Sequence, residues 1–390
     1  MLSKLTLISE ALDKTFDGKE ISKDEAYQIY EESQNNPFEL YKIAQILRNK
    51  KKGTRVTYSR KVFFNLINLC RDTCSYCTYK SEPGQSKISM LSRVDIQKLA
   101  NLGKKYRCTE ALFVTGERPE QKYDEAKRWL KENGFASTSE YLFHASEIAL
   151  NEGLFPHTNA GNLTKSEMNE LKKTNVSLGL MLENSSTRLS QSGMPHELAP
   201  SKHPKARLRV LKDAGELGIP MTTGVLIGIG ETAFEIIDSI YTIKKIHKKY
   251  GNIQEIILQN FQPKSDTRMK NIPSPEEKYF KTLVALARVI MPEMNIQIPP
   301  NLSPYSYASF LSVGINDWGG ISPLTPDYVN PEFSWPSIDT VAKNSSNAGF
   351  ELKARLPVYP EFFSFVHPDL KDKMLEITDS EGFVKTEYLK

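Results

Sequence analysis

The stretch that organises the chain is Asn68-Leu69-Cys70-Arg71-Asp72-Thr73-Cys74-Ser75-Tyr76-Cys77. Three of the four cysteines fall within it, spaced C-x3-C-x2-C, directly after an apolar run from Val62 to Leu69. Three thiolates on one tight loop can converge on a single cuboidal cluster, because cysteine thiolate is the usual ligand of iron–sulfur units. Most such clusters take four cysteines. The fourth here, Cys108, stands at a helix-to-strand junction before Ala111 and reads as a buried core thiol. Three protein ligands leave one iron open, and an open coordination position is what a catalytic metal needs. Two plainer readings compete, a structural zinc site and a trio of ordinary thiols. Zinc would want a fourth Cys or His at matched spacing, and the nearest histidines, His144 and His157, lie far along the chain.

Working outward, short apolar runs alternate with longer helical patterns. After Val62–Leu69 come Ala111–Thr115, Phe155–Asn159, Val176–Leu182, Met221–Ile227, Glu255–Phe261 and Asn295–Ile298, with a short last run at Ile315–Trp318. Several intervening segments open with capping signals: Ser137-Thr138-Ser139-Glu140, Thr164-Lys165-Ser166-Glu167 and Ser274-Pro275-Glu276-Glu277. Strands alternating with helices imply βαβ units and a parallel sheet. Seven or eight units over roughly 270 residues fit an α/β chain folded as a (β/α)8 TIM-type barrel, full or nearly full. Residues 1–55 read as a helical segment, with a capping box at Ser22-Lys23-Asp24-Glu25 and a boundary at Lys51-Lys52-Gly53-Thr54. The barrel is expected over 56–335. A C-terminal extension over 336–390 should hold one more helix and an added strand, Phe350–Tyr359.

Composition excludes several classes. The chain has 390 residues, 39% hydrophobic and 25% charged, ample for one large core. Its formal net charge is only +4, and Lys50-Lys51-Lys52 reads as a solvated face, so no nucleic-acid partner is expected. No run of about 20 apolar residues exists, so no membrane span is expected. Met1 to Glu10 lacks a long apolar core and a small-residue cleavage site, so no secretory leader is expected. Clustered cysteines are unlike a spread disulfide framework and point to reduced thiols in a cytoplasmic protein.

Three strand ends add to the cysteines. The second strand ends Thr115-Gly116-Glu117-Arg118-Pro119, either a functional turn or a plain one. The fourth ends in Glu183, a carboxylate placed to accept from ribose hydroxyls or to sit at a helix N-terminus. The fifth runs into Gly228-Ile229-Gly230-Glu231-Thr232-Ala233, which also fits the dinucleotide fingerprint G-x-G-x-x-A. That fingerprint normally belongs to the first βα turn, and here it is about the fifth. Both readings place a nucleoside there.

C-x3-C-x2-C with an aromatic before the third cysteine resembles the signature of the radical S-adenosylmethionine (SAM) superfamily. The resemblance implies a 4Fe-4S cluster on Cys70, Cys74 and Cys77, with SAM on the open iron. It implies SAM contacts from Tyr76 near the adenine, from Gly116 and Glu117, and from Glu183, Ile227 and Gly228; Asn159 is counted with them. From about Tyr58 to Pro360 the chain further resembles the ring-closing subunits of 7,8-didemethyl-8-hydroxy-5-deazariboflavin (FO) synthase. The segments that carry the likeness include Leu154–Gly161, Ala214–Pro220, Ile256–Phe261, Pro299–Pro304 and Gly314–Gly320. Thr78-Tyr79 departs from the pattern, which has Phe in place of Tyr79.

That likeness implies a carbon–nitrogen lyase. A companion radical SAM subunit would couple tyrosine to a ribityl-diaminouracil. This chain would then abstract hydrogen from the adduct through a 5′-deoxyadenosyl radical, close the central ring and release ammonia. The product is the chromophore of coenzyme F-420. A low-potential electron donor is implied as well. The alternative is another radical SAM enzyme of the same barrel, such as the tyrosine-coupling partner or a menaquinone-route enzyme. A protein-ligated electron carrier is a third reading; it would want four cluster ligands and no SAM-binding strand ends. Asn260, Asn301 and Asp317 are expected to touch substrate, as strand-end polar groups on the catalytic face. Tyr58, His157 and Tyr305 are candidates for moving protons.

Overall fold

The computed structural model describes residues 10–390. The expectations for residues 1–9, part of the N-terminal helical segment and the absence of a leader, lie outside the described residues. No helix among those described is long and apolar enough to cross a membrane.

Eight parallel strands close into a barrel: β1 (Arg55–Ile67), β2 (Glu110–Thr115), β3 (Phe155–Asn159), β4 (Ser177–Gly179), β5 (Met221–Ile227), β6 (Ile253–Asn260), β7 (Asn295–Gln297) and β8 (Asp317–Ile321). Each pairs with the next, and β1 pairs with both β8 and β2 to complete the ring. Helices lie between the strands, including Arg93–Lys105, Thr138–Asn151, Pro204–Glu216, Ala233–Tyr250 and Glu277–Ile290. Capping boxes start the helices at Ser22 and Thr164, and Ser137 caps with its side chain. The fourth capping signal is not used. The helix begins at Glu277 without a side-chain cap, and the Ser274 hydroxyl donates instead to Gln262 Oε1 at 2.7 Å.

The thirteen residues of β1 show how side chains are divided between lumen and outer layer. Lys61 and Phe63 face the lumen, while Val62 meets the helix carrying Gly103 and Phe64 stacks on Phe113 at 4.7 Å. This is the period-2 alternation of a pleated strand. Tyr58 shares the outward parity of Val62 and is buried near Cys108, away from the catalytic end.

A ninth strand, β9 (Glu351–Arg355), pairs in parallel with the first half of β1, Arg55 to Ser59. Beyond it the chain lies across the barrel's N-terminal end. Arg355 donates to Asp317 at 2.7 and 2.9 Å and to Glu255 at 3.0 Å, and the Tyr359 hydroxyl donates to Glu255 at 2.7 Å. All four side chains are buried. Burial raises the Glu255 carboxyl, against the pull of Arg355. Outside the ring, helices Lys23–Ser33 and Phe38–Lys52 pack on Glu277–Ile290.

Candidate active site

The loop after β1 carries the three cysteines, and its backbone is held on two sides. Asn68 spends its amide fully: it donates to Ser81 Oγ at 3.0 Å and Lys87 O at 2.9 Å, and accepts from Ser89 N–H at 2.7 Å. On one flank Arg71 N–H donates to Glu117 O at 2.8 Å, and Glu117 N–H to Cys70 Sγ at 3.2 Å. On the other, Thr73 and Ser75 donate to Leu198 O and Pro195 O, and Ser201 N–H donates to Asp72. The end of β2 and residues 195–201 therefore fix where the sulfurs point. Cys70, Cys74 and Cys77 all line one cavity at the C-terminal end of the barrel. Burial pushes the Cys70 thiol up to about 11. Among the described residues no three His, Cys, Asp or Glu side chains close on a single metal ion. Cys108 is fully buried against Lys61 O at 3.5 Å, away from this loop.

Around the same cavity stand Tyr76, Gly116, Glu117, Asn159 and Glu183. Tyr76 is edge-on to His196, with its hydroxyl 3.0 Å from Nε2. Burial pushes His196 down to about 3, so that ring is neutral. Glu117 accepts from Asn162 N–H at 2.9 Å through Oε2, while its buried Oε1 accepts no hydrogen bond and stands 4.0 Å from the Arg71 guanidinium. Glu183 has φ +63°, stays paired with β5 opposite Val225, and lines the cavity with its side chain. Burial would raise its carboxyl, but the Lys202 ammonium bonded to it outweighs that and holds it below the ordinary range. Glu231 folds back on its own loop, accepting from Gly228 N–H at 2.7 Å and Ile229 N–H at 2.8 Å. Those two amides are thus filled by a carboxylate, whereas a dinucleotide fingerprint presents its amides to pyrophosphate.

Residues 64–241 match the model of the radical SAM superfamily. The chain is 44% identical over 333 residues to the 7,8-didemethyl-8-hydroxy-5-deazariboflavin synthase of Methanopyrus kandleri, covering 85% of this chain and 100% of that one. It is 43% identical to the synthase of the same name from Methanocaldococcus jannaschii, over 88% of this chain and 94% of that one. The chain belongs to the 7,8-didemethyl-8-hydroxy-5-deazariboflavin synthase family. That radical SAM family brings with it a 4Fe-4S cluster and SAM. The FO synthase of Nocardia farcinica is 40% identical over 97% of this chain, which spans 46% of that protein. The fold agrees with the FeFe-hydrogenase maturase HydG from Carboxydothermus hydrogenoformans, at a TM-score of 0.71 and 21% identity over 98% of this chain and 88% of that one.

The deazariboflavin synthase chain does not bring every expected residue to the cavity. Ile227 and Gly228 stand just behind its wall, where their neighbour Leu226 lines it. Asn260 has the wrong parity: Gln259 and Phe261 face inward, and Asn260 donates to Leu302 O at 3.0 Å. Asn301 braces residues 327–333, donating to Asp327 and to Phe333 O. Asp317 opens β8 instead of ending it, so it lies at the barrel floor with Arg355. Tyr305 is fully exposed, and Tyr58 is outside the lumen. His157 faces inward one layer below Asn159. Ser177 Oγ donates to Pro357 O, so His157 Nδ1–H donates to Ser177 at 2.6 Å. Burial pushes this imidazole down to about 4.

Other lining residues were missed by the sequence reading: Lys61 and Phe63 on β1, Lys202 and Arg207, and Asp327, Asn330 and Trp335 on the segment after β8. Strand parity would have found the first pair. The last three lie in irregular chain, where no periodicity marks which way a side chain points.

Proposed function

We propose that this chain is the ring-closing FO synthase, a carbon–nitrogen lyase that turns the coupled tyrosine–ribityl-diaminouracil adduct into the deazaflavin chromophore with loss of ammonia. The observation that carries the reading is one cavity lined by three thiols, by Tyr76, Gly116, Glu117, Asn159 and Glu183, and by the amides Gln259 and Gln297 deeper in the lumen. Identity over the full length of the Methanopyrus synthase supports it.

Cys70, Cys74 and Cys77 are assigned as the cluster ligands. The donor set fits: soft thiols on one loop, with an amide N–H already turned to one sulfur. When bound, the cluster and SAM supply the 5′-deoxyadenosyl radical and so the hydrogen abstraction. The protein's own part is positioning and exclusion of water. Glu117 N–H steadies the Cys70 sulfur. Oε1 of Glu117, which accepts no hydrogen bond within the chain, offers an acceptor to the SAM amino group. Lys202 keeps Glu183 ionised, so the carboxylate can accept from both ribose hydroxyls. Tyr76, oriented by neutral His196, offers a flat apolar face to the adenine.

The partners belong to the same proposal. A companion radical SAM subunit makes the adduct, and the 46% share of the Nocardia protein leaves room there for a second unit. A low-potential donor reduces the cluster, and a reducing cytoplasm suits it. The test is anaerobic reconstitution with iron and sulfide, reduction with SAM, and addition of the adduct. Fluorescent deazaflavin and 5′-deoxyadenosine are expected, and Cys74→Ala should take up little iron. 5′-Deoxyadenosine without deazaflavin from authentic adduct would refute the ring-closing assignment. Adduct formed from tyrosine and ribityl-diaminouracil would assign the coupling step instead.

A further inference from the structure

Lys61 is a buried lysine whose surroundings do not account for it. It stands in mid-β1 with its side chain in the lumen, on the wall of the cavity. Its stem passes over β8 through a gap that exists only because residue 320 is glycine. A Cβ at Gly320 would lie 2.4 Å from Lys61 Cδ and 3.1 Å from Nζ. Beyond the gap the ammonium sits 4.2 Å from the centre of the Trp335 ring, with Phe63 on its other side at 5.6 Å. Glu110, Asp327, Glu255 and Arg355 are the charged groups that face it. The three carboxylates act on it from a distance. Among the described residues none forms an ion pair with it, and nothing accepts a hydrogen bond from it.

Three N–H donors on a largely buried side chain, with no acceptor from the described residues, leave their bonds to whatever occupies the cavity in front of them. The Lys61 side of the cavity has its own chemistry. The thiols, Glu183 and Lys202 are on other strands and loops. Trp335 and Phe63 flank Lys61, and Gln259 and Gln297 line the same cavity, so aromatic faces are mixed with amides. Amides match the alternating donors and acceptors of a pyrimidinedione, and an indole face suits a planar ring better than a polyol. Resting on the ring-closing reading above, we propose that Lys61 is a substrate-binding residue. Its ammonium donates to a ring carbonyl oxygen of the pyrimidinedione, which lies against Trp335, and steadies negative charge on that oxygen as the new ring forms.

The experiment compares wild type, Lys61→Met, Lys61→Arg and Gly320→Ala, each reconstituted with iron and sulfide. Three readouts are taken: iron content with SAM affinity, adduct affinity from quenching of tryptophan fluorescence, and KM against kcat for deazaflavin. Lys61→Met should weaken adduct binding and raise KM by about 10- to 100-fold, the loss of one charged hydrogen bond. Iron content and SAM affinity should stay at wild-type values. Lys61→Arg should recover part of the affinity. Gly320→Ala should mimic Lys61→Met, since its methyl group occupies the space of the lysine stem. Unchanged adduct affinity and KM in Lys61→Met overturns the proposal. If that variant fails to fold, unchanged affinity in Gly320→Ala overturns it equally. Wild type that binds adduct in a Lys61-dependent way yet forms no deazaflavin removes the ring-closing reading and leaves the binding assignment standing. Wild type that does not bind adduct removes both.

Discussion

Gly116→Ala is the sharpest single test of how the barrel holds its cysteine loop. A methyl group at residue 116 would lie 2.0 Å from Leu69 O, 2.7 Å from Leu69 C and 2.8 Å from Cys70 Cα. These are backbone atoms, so no rotamer change relieves the overlap. Bringing the first contact to an ordinary 3.4 Å needs a displacement of about 1.4 Å between the end of β2 and the loop. The residue that must move is Cys70 or its neighbour. Gly116 N–H also donates to Ile67 O at 2.7 Å, and Glu117 N–H to the Cys70 sulfur, so both anchors shift with it. Metal–ligand bonds tolerate about 0.2 Å. Overpacking of this kind costs about 1–3 kcal/mol, too little to unfold a well-packed barrel but enough to misplace one ligand. The variant should therefore keep its circular dichroism and lose a few degrees in Tm, while iron and sulfide content falls sharply. Gly103→Ala is the control. Its methyl group meets only side chains of the outer layer, Val62 at 2.5 Å and Leu154 at 3.2 Å, so it should lose stability and keep its iron. Wild-type iron content in Gly116→Ala would refute the argument.

Three other outcomes follow from the geometry. Glu183→Gln removes the charge that Lys202 pairs with, and SAM affinity measured anaerobically should drop about tenfold; an unchanged Kd would exclude Glu183 from the SAM site. Arg355→Met leaves Asp317 and Glu255 buried together without their cation and should lower the unfolding free energy in urea by about 3–5 kcal/mol; a loss below about 1 kcal/mol would show the floor pair to be dispensable. His157 is lowered from an ordinary 6.5 to about 4, so the unfolded chain binds the extra proton between those values. Its contribution to stability is complete above about pH 6.5 and is lost as pH falls toward 4. His157→Gln should flatten that part of the stability–pH curve, and a curve of unchanged slope would show that the imidazole is not held neutral.

The barrel was legible because most strands are apolar runs of ordinary length between clear helix signals. β3 and β5 lie where the sequence placed them, at Phe155–Asn159 and Met221–Ile227. β1 begins seven residues earlier than its apolar run, at Arg55 rather than Val62. Thr57, Ser59 and Lys61 alternate into a polar floor, and a strand facing polar groups has no apolar signature. β4 is shorter than its run because the register with β5 breaks after Gly179 and pairing resumes only at Glu183 opposite Val225. The cysteine side of the site was readable since its residues are close in sequence. The lumen side was not, because parity decides it. Moving one position along β6 exchanges Asn260 for Gln259 or Phe261, and placing β8 at Ile315–Trp318 instead of Asp317–Ile321 puts Asp317 near the mouth when it lies at the floor.

Among the described residues, the segment from β9 to Tyr359 closes the barrel's N-terminal end. Arg355, Asp317, Glu255 and Tyr359 stopper the far end, so whatever enters past the loops after the strands has to leave the same way. On the proposed function, an adduct against Lys61 and SAM beside the cysteine loop would share that one approach.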